Sequence, residues 1–117
     1  MLIRTFVPVG TVLPYAGPLA TGDGSAAAIR QIKTNLWTAG WLYCDGAAMS
    51  CNDYRDLFGV IGYAFGGSDG SFNLPDLRGQ FIRGVSDNAT QDPDRADRKP
   101  AAPGGNAGAM VGSVQQD

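Results

Sequence analysis

At 117 residues the chain has room for one domain with one modest core, burying at most roughly 70% of the surface its unfolded form would expose. Its formal charge of −2, with nine basic residues scattered rather than run together, excludes the electrostatic footprint of a nucleic-acid binder. Seventeen glycines, eleven acidic residues that are all Asp, and no histidine weight the sequence toward turns and caps and against long helices.

Residues 1–17 place Phe6, Val7, Val9, Val12 and Leu13 between Pro8, Gly10 and Pro14. The pattern predicts a strand broken by turns, at a sheet edge because proline cannot donate to a ladder. Nothing here marks the chain as membrane-inserted or classically secreted. No basic segment leads into an apolar run, and no apolar run approaches the about eighteen residues that span a bilayer. Over residues 18–39 a Gly22-Asp23-Gly24 turn precedes an Ala-rich run in which Ile29, Ile32 and Leu36 recur at helical spacing. A short helix is expected there, with Ser25 as N-cap.

Residues 40–85 carry the densest signal. Trp41 and Tyr43 alternate with Leu42 and Cys44 as in a strand, and Asp45-Gly46 supplies a turn. Ser50, three before Asp53, is placed to cap a helix whose apolar face is Tyr54, Leu57, Phe58 and Ile61, weakened by Gly59 and ended by Gly62. The Gly66–Ser71 loop then leads to Phe72 and Leu74. Pro75-Asp76 turns the chain toward Leu77, Phe81 and Val85. These aromatics and aliphatics are the expected core, with Leu57, Phe58, Phe72 and Leu74 mostly buried. Asp76 and Arg78, flanking Leu77, are expected to pair as structural partners at the turn.

Residues 86–117 have no aromatic residue, and only Met110, Val111 and Val114 are large and apolar. Asp92-Pro93-Asp94, Lys99-Pro100 and Pro103-Gly104-Gly105 interrupt regular structure, so an extended arm is expected. Ordering a backbone costs about 1–2 kcal/mol per residue. The arm is therefore expected to find its ordering contacts on other chains, plausible ones being two mates in a trimer.

Gly10, Gly40-Trp41, Cys44-Asp45-Gly46, Tyr54 with Leu57-Phe58, Gly62 and then Phe72-Asn73-Leu74-Pro75-Asp76-Leu77-Arg78-Gly79 stand in an order that resembles the phage tail collar domain family. The resemblance implies a small, irregular α+β domain, mainly β, over residues 1–85, with 18–39 as an insertion and 86–117 as the arm. It implies a structural or attachment component of a phage tail fibre or baseplate, or of a related contractile injection particle: a virion tail component, synthesised in the host cytoplasm. Fibre proteins of this kind are commonly trimers, so copies of the chain and neighbouring tail subunits are the expected partners. In this family a stretch like Gly112-Ser113-Val114-Gln115-Gln116-Asp117 often leads into a receptor-binding region with a His-x-His metal site. This sequence holds no such region, leaving the collar-like piece.

The chemistry-bearing residues agree with a non-enzymatic role. There is neither His nor Glu and no Gly-x-Ser-x-Gly elbow, so no tuned acid, base or nucleophile is in view. A Cys44–Cys51 bridge across the Asp45-Gly46 turn stays open, since spacing does not test its geometry. The simpler reading has Cys44 as a small buried side chain and Cys51 as a free thiol near the helix start. Two cysteines without histidine do not make a zinc site. Asp92, Asp94 and Asp97 lack the central Gly and terminal Glu of a calcium loop, and Gly66–Ser71 lacks the Lys-Ser/Thr ending that cradles phosphate. No cofactor and no metal are expected. The rival is a carbohydrate-binding module, for which Trp37, Trp41, Tyr43 and Tyr63 offer flat apolar faces with polar edges. Trp41 and Tyr43 fall in the collar-like signature and are read as core, which leaves Trp37 as the candidate contact to a cell-surface glycan.

Overall fold

The computed structural model describes residues 7–18, 25–85 and 92–115. The expected Gly22-Asp23-Gly24 turn lies outside them, as do residues 1–6 of the expected N-terminal strand. The chain divides into two units, one of Met1–Thr11 with Cys44–Asp117 and the other of Val12–Tyr43.

The Val12–Tyr43 unit is built on helix α1, Ala26–Thr38. It starts where expected because the Ser25 hydroxyl accepts the Ala28 N–H at 3.2 Å, satisfying one orphan donor of the first turn. Its end is set by Gly40, whose φ of +91° allows Gly40 N–H to reach Trp37 O and Trp41 N–H to reach Leu36 O, both at 2.9 Å. This is the paired closure of a Schellman motif. The Gly-Trp that opens the collar-like signature is thus the helix's C-terminal stop. Ile29, Ile32 and Leu36 are half-buried, as their spacing requires.

In the other unit a three-stranded antiparallel sheet of order β1-β3-β2 comprises β1 (Ala48–Ser50), β2 (Gly67–Ser68) and β3 (Ser71–Asn73). Central β3 pairs Phe72 with Met49 on one side and with Gly67 on the other. Helix α2, Arg55–Ile61, lies between β1 and β2 in sequence and ends at Gly62, as expected. Ser50 caps the preceding turn rather than the helix. Its hydroxyl accepts from Asp53 N–H at 3.3 Å and its carbonyl from Tyr54 N–H. Phe72 and Leu74 are buried, at 0% and 4% exposure, while Leu57, Phe58 and Leu77 are half-buried. The Phe58 ring stands 5.3 Å from Phe72 and 5.0 Å from Tyr63, close enough for aromatic contact.

Four expectations are corrected. Residues 41–44 form no strand: Trp41 serves the cap of α1, Asp45 makes a single bridge to Asp76, and the strand comes later, at 48–50. The described residues 7–17 form no strand either, since the Thr11 N–H and hydroxyl both turn back to the Pro8 carbonyl. The Gly66–Ser71 loop is a tight hairpin rather than a loose connection. Asp69 and Gly70, at φ 53° and 87°, join β2 to β3 in the manner of a type I′ turn. Finally, Phe81 and Val85 do not continue the core and are 98% and 53% exposed. β3 is flanked on both sides and the Gly67 N–H of β2 is taken by Pro103 O, and among the described residues 81–85 make no backbone hydrogen bond to this sheet.

Residues 92–115 are ordered by contacts within their own chain rather than by outside partners alone. They hold a 3-10 turn at Arg95–Asp97 and a short hairpin of β4 (Lys99–Pro100) with β5 (Ser113–Val114). They fasten to the sheet end through Gly67 N–H to Pro103 O at 3.2 Å and Asn106 N–H to Ala64 O at 3.0 Å. Apolar burial contributes little here. Backbone hydrogen bonds and the approach of glycines do the work: a Cβ on Gly112 would fall against the Ala64 carbonyl.

Candidate interaction surface

The signature residues assemble into a frame, not a cleft. Asp45 Oδ1 accepts the Ala47 N–H at 3.1 Å, closing a turn through Gly46. Gly46 N–H donates to Pro75 O and Leu77 N–H to Cys44 O, both at 3.1 Å, so the two halves of the signature are stitched together backbone to backbone. Pro75 is buried beside Leu74. Gly10, in the N-terminal turn, backs onto α2, where a Cβ would lie 2.5 Å from Val60 Cγ1. Tyr54 and Ile61 are half-buried, at the two ends of α2.

Arg78 clamps Asp76 with two bonds of 2.8 Å, Nε to Oδ1 and Nη2 to Oδ2, as expected of structural partners. The Arg78 hydrogen bonds hold the Asp76 carboxyl below the usual carboxylate range. Both side chains are exposed, so the pair contributes about 0–1 kcal/mol and mainly sets the turn that ends at Gly79. Cys44 and Cys51 are free thiols, each half-buried. Burial, and secondarily Asp45, pushes the Cys44 thiol above its ordinary range, which keeps it protonated and unreactive.

One buried polar cluster was not anticipated. Asp92 and Arg98, at 6% and 8% exposure, form an ion pair through Arg98 Nη2 and Asp92 Oδ1 at 2.5 Å. Arg83 Nη2 reaches the same oxygen at 3.3 Å and its Nη1 donates to Gln115 Oε1, while Arg95 Nη1 donates to Asp92 O at 2.9 Å. The hydrogen bond from Arg98 is the main cause of the depressed Asp92 carboxyl, against the opposing effect of burial. Asp92 thus ties Arg83, just beyond the signature, to the C-terminal hairpin. The sequence offered only an Asp-Pro-Asp turn, because ion pairs between distant positions leave no local periodicity.

Among the described residues no group of three or more His, Cys, Asp or Glu side chains could hold a metal ion. No helix of these residues is long and apolar enough to cross a membrane. Trp37 is 59% exposed on α1. Trp41 and Tyr43 are half-buried, with Lys33 Nζ 5.5 Å from the Tyr43 ring centre. Other exposed large apolar side chains include Val7, Val9, Val12 and Leu13 in the N-terminal segment, Phe81, Ile82 and Val85 after the frame, and Met110 and Val111.

The family model described as the phage tail collar domain matches residues 10–82. Among curated proteins, RhiB of Rhizobium leguminosarum bv. viciae is 30% identical over 94% of this chain and 59% of its own length. The short tail fiber protein gp12 of Enterobacteria phage T4 is 28% identical over 67% of this chain and 12% of its own. The StfE protein of Escherichia coli (strain K12) is 42% identical over 49% of this chain and 28% of its own. The chain therefore spans less than two thirds of the length of each of these relatives. No solved structure matches at a comparable significance. With the model spanning the turn at Gly10, the α1 stop at Gly40-Trp41 and the stitched frame through Arg78-Gly79, the chain belongs to the phage tail collar domain family.

Proposed function

We propose that this chain is a non-enzymatic structural component of a tail fibre or fibre-like particle, acting as a collar piece that connects neighbouring subunits and supports attachment. The observation that carries the reading is the collar match over residues 10–82, whose polar signature residues are spent on backbone turns and a surface clamp. A catalytic site needs polar groups converging on a space a substrate can enter; here Asp45 and Asp76 are occupied in closing the frame. Copies of the chain, three in a trimer by analogy with fibre architecture, and neighbouring tail or baseplate subunits are its partners in this reading. A phage tail and a contractile injection particle are both compatible settings.

The test is location. With a C-terminal affinity tag, the chain is expected to sediment with high-mass particles from the producing cells and to occupy a fibre or baseplate position in their cryo-EM map. Recovery of the chain only from the soluble, particle-free fraction would overturn the proposal. The carbohydrate-binding alternative gains nothing comparable. It rests on Trp37, and one exposed ring does not make a binding platform with convergent polar groups.

A further inference from the structure

Asp92-Pro93 is the one Asp-Pro bond in the sequence, and it lies at the centre of the buried cluster. Of the two Asp92 side-chain oxygens, Oδ1 takes the contacts from Arg98 and Arg83, at 2.5 and 3.3 Å. Oδ2 is buried and has no hydrogen-bond partner among the described residues, a costly state for a carboxylate oxygen. The main-chain carbonyl of the same residue is the opposite case. Arg95 Nη1 donates to Asp92 O at 2.9 Å, and the Arg95 N–H reaches the same oxygen at 3.4 Å. Three guanidinium groups therefore surround one carboxylate, and one of the three is aimed at a neutral carbonyl. A purely structural ion pair needs neither the free oxygen nor the surplus charge.

We propose that the cluster is a self-processing site, which cleaves its own chain once between Asp92 and Pro93. The event goes beyond the structural role and turns over no external substrate. Oδ2 attacks the Asp92 carbonyl carbon, and the new C–O bond closes a succinic anhydride ring. Negative charge moves onto Asp92 O, where Arg95 Nη1 and the Arg95 N–H already point, the arrangement of an oxyanion hole. The C–N bond to Pro93 then breaks. Its electron pair stays on the proline nitrogen, which takes a proton from water and departs as a secondary amine. Water next adds to the anhydride, restoring the Asp92 side chain and leaving a main-chain carboxylate at residue 92. The sum is one water consumed, with one carboxylate and one protonated amine gained. Proline suits the step because its nitrogen carries no hydrogen, which closes off the competing attack of that nitrogen on the side-chain carboxyl. The product also accounts for the surplus charge: cleavage places a second carboxylate where Arg95 Nη1 stands, so the three arginines complement the transition state and the cleaved form better than the intact chain. Residues 93–115 stay attached afterwards through Gly67 N–H to Pro103 O and Asn106 N–H to Ala64 O.

The experiment uses the full chain, held at pH 5 and at pH 7 and sampled by intact-mass spectrometry. Fragments 1–92 and 93–117 should accumulate, their masses together exceeding the intact mass by one water. Cleavage should run faster at pH 5, because the departing nitrogen needs a proton while Arg98, Arg83 and Arg95 keep the Asp92 carboxyl ionised. The same chain unfolded in urea gives the ordinary lability of an Asp-Pro bond, and the folded chain should exceed it by about tenfold or more, as expected of oriented groups. Arg95→Gln should slow the folded rate by about tenfold or more, the effect of losing an oxyanion donor, and Asp92→Asn should stop it. Cleavage in hydroxylamine should leave a hydroxamate on Asp92 in place of the free acid, which marks the anhydride and separates it from a contaminating protease. Should a variant lose its circular dichroism signal, the trap and the folded-to-unfolded ratio, both read on the wild type, decide the matter. An unchanged intact mass at both pH values, equal rates folded and unfolded, fragments without hydroxamate, or a folded Arg95→Gln that cleaves at the wild-type rate would each overturn the proposal. None of these outcomes bears on whether the chain is found in particles, which the sedimentation test decides separately.

Discussion

Replacing Phe72 by Ala removes the one large side chain among the described residues that solvent does not reach at all. Burial of such a ring contributes about 1.5–3 kcal/mol, and its tilted contact with Phe58 at 5.3 Å adds about 0.5–1.5 kcal/mol. The hole is poorly placed to collapse, because Phe72 is held in ladders on both sides, to Met49 and to Gly67. Closing the gap would break one of them. The expected loss is therefore about 3–5 kcal/mol, the range for phenylalanine deletions in rigid sites. Against a total of about 5–15 kcal/mol it brings the unit close to unfolding. Urea titration followed by circular dichroism reads it, at one fixed protein concentration because association shifts the midpoint. With a slope of about 1–3 kcal/mol per molar, the midpoint should fall by more than about 1 M. Phe72→Leu, which refills most of the volume, should cost clearly less. Equal losses for Leu and Ala, or a fall below about 0.3 M for Ala, would refute the view that this ring is the keystone of the core.

Three further outcomes are expected. Gly67→Ala should destabilise by about 2 kcal/mol or more, since φ is +111° and the added Cβ would lie 2.5 Å from Ser71 O and 2.7 Å from Phe72 Cα, both backbone atoms that cannot swing away; an unchanged urea midpoint would contradict the close approach. With no histidine and Asp92 and Asp76 depressed by their arginines, stability from these pairs is fully present above the ordinary aspartate value of 3.8 and falls away as pH drops through the lower folded values. Melting temperature should hold within about 4 °C, the equivalent of about 1 kcal/mol, from pH 5 to 7, then decline at more acid pH and less steeply so in Asp92→Asn; a decline already complete at pH 5 would contradict the assignment. Trp37→Ala should leave the unfolding free energy of the sheet unit from urea titration within about 0.5 kcal/mol, as expected of a surface change, and a fluorescence titration of the wild type with lipopolysaccharide should show no saturable shift; saturable binding lost in Trp37→Ala would revive the glycan reading.

How much of this was legible in the sequence depends on the range over which each force acts. Helix α1 was legible from Ser25 and the spacing of Ile29, Ile32 and Leu36, because capping and helical periodicity are local. The core pair Phe72 and Leu74 was legible because the block from Phe72 to Gly79 is dense in apolar and turn residues. The Asp69-Gly70 hairpin carried a local signal that the glycine richness of the loop masked; an Asp-Gly pair between two short runs is a hairpin signature in its own right. The supposed strand at 41–44 failed for a related reason. Alternation of Trp41 and Tyr43 mimics a strand, yet Gly40 and Trp41 are committed to ending a helix by their capping bonds to Trp37 and Leu36, and the pairing with residues 75–77 begins only at Cys44 and Asp45. The Asp92 cluster was not legible, since Arg83, Arg98 and Gln115 meet it only after the chain has folded back.

Phe81 is the most instructive failure. Its hydrophobicity gave the right instruction, to be covered, and the wrong address, because periodicity says that a residue is buried without saying by which chain. In an ordinary globular domain the two coincide. Here the Pro103 carbonyl takes the Gly67 N–H on the β2 edge, and residues 81–85 stand exposed beyond the frame. The Asp92 cluster then acquires a second consequence. By holding Arg83 through Asp92 and Gln115 it ties the exposed segment 81–85 to residues 92–115, so the least legible polar feature positions the apolar segment that the sequence marks for burial. Cutting that tie with Arg83→Gln should leave the sheet intact and raise the exchange rate of amides 81–85. Unchanged exchange would show that residues 81–85 hold their position without the cluster and would separate the two features.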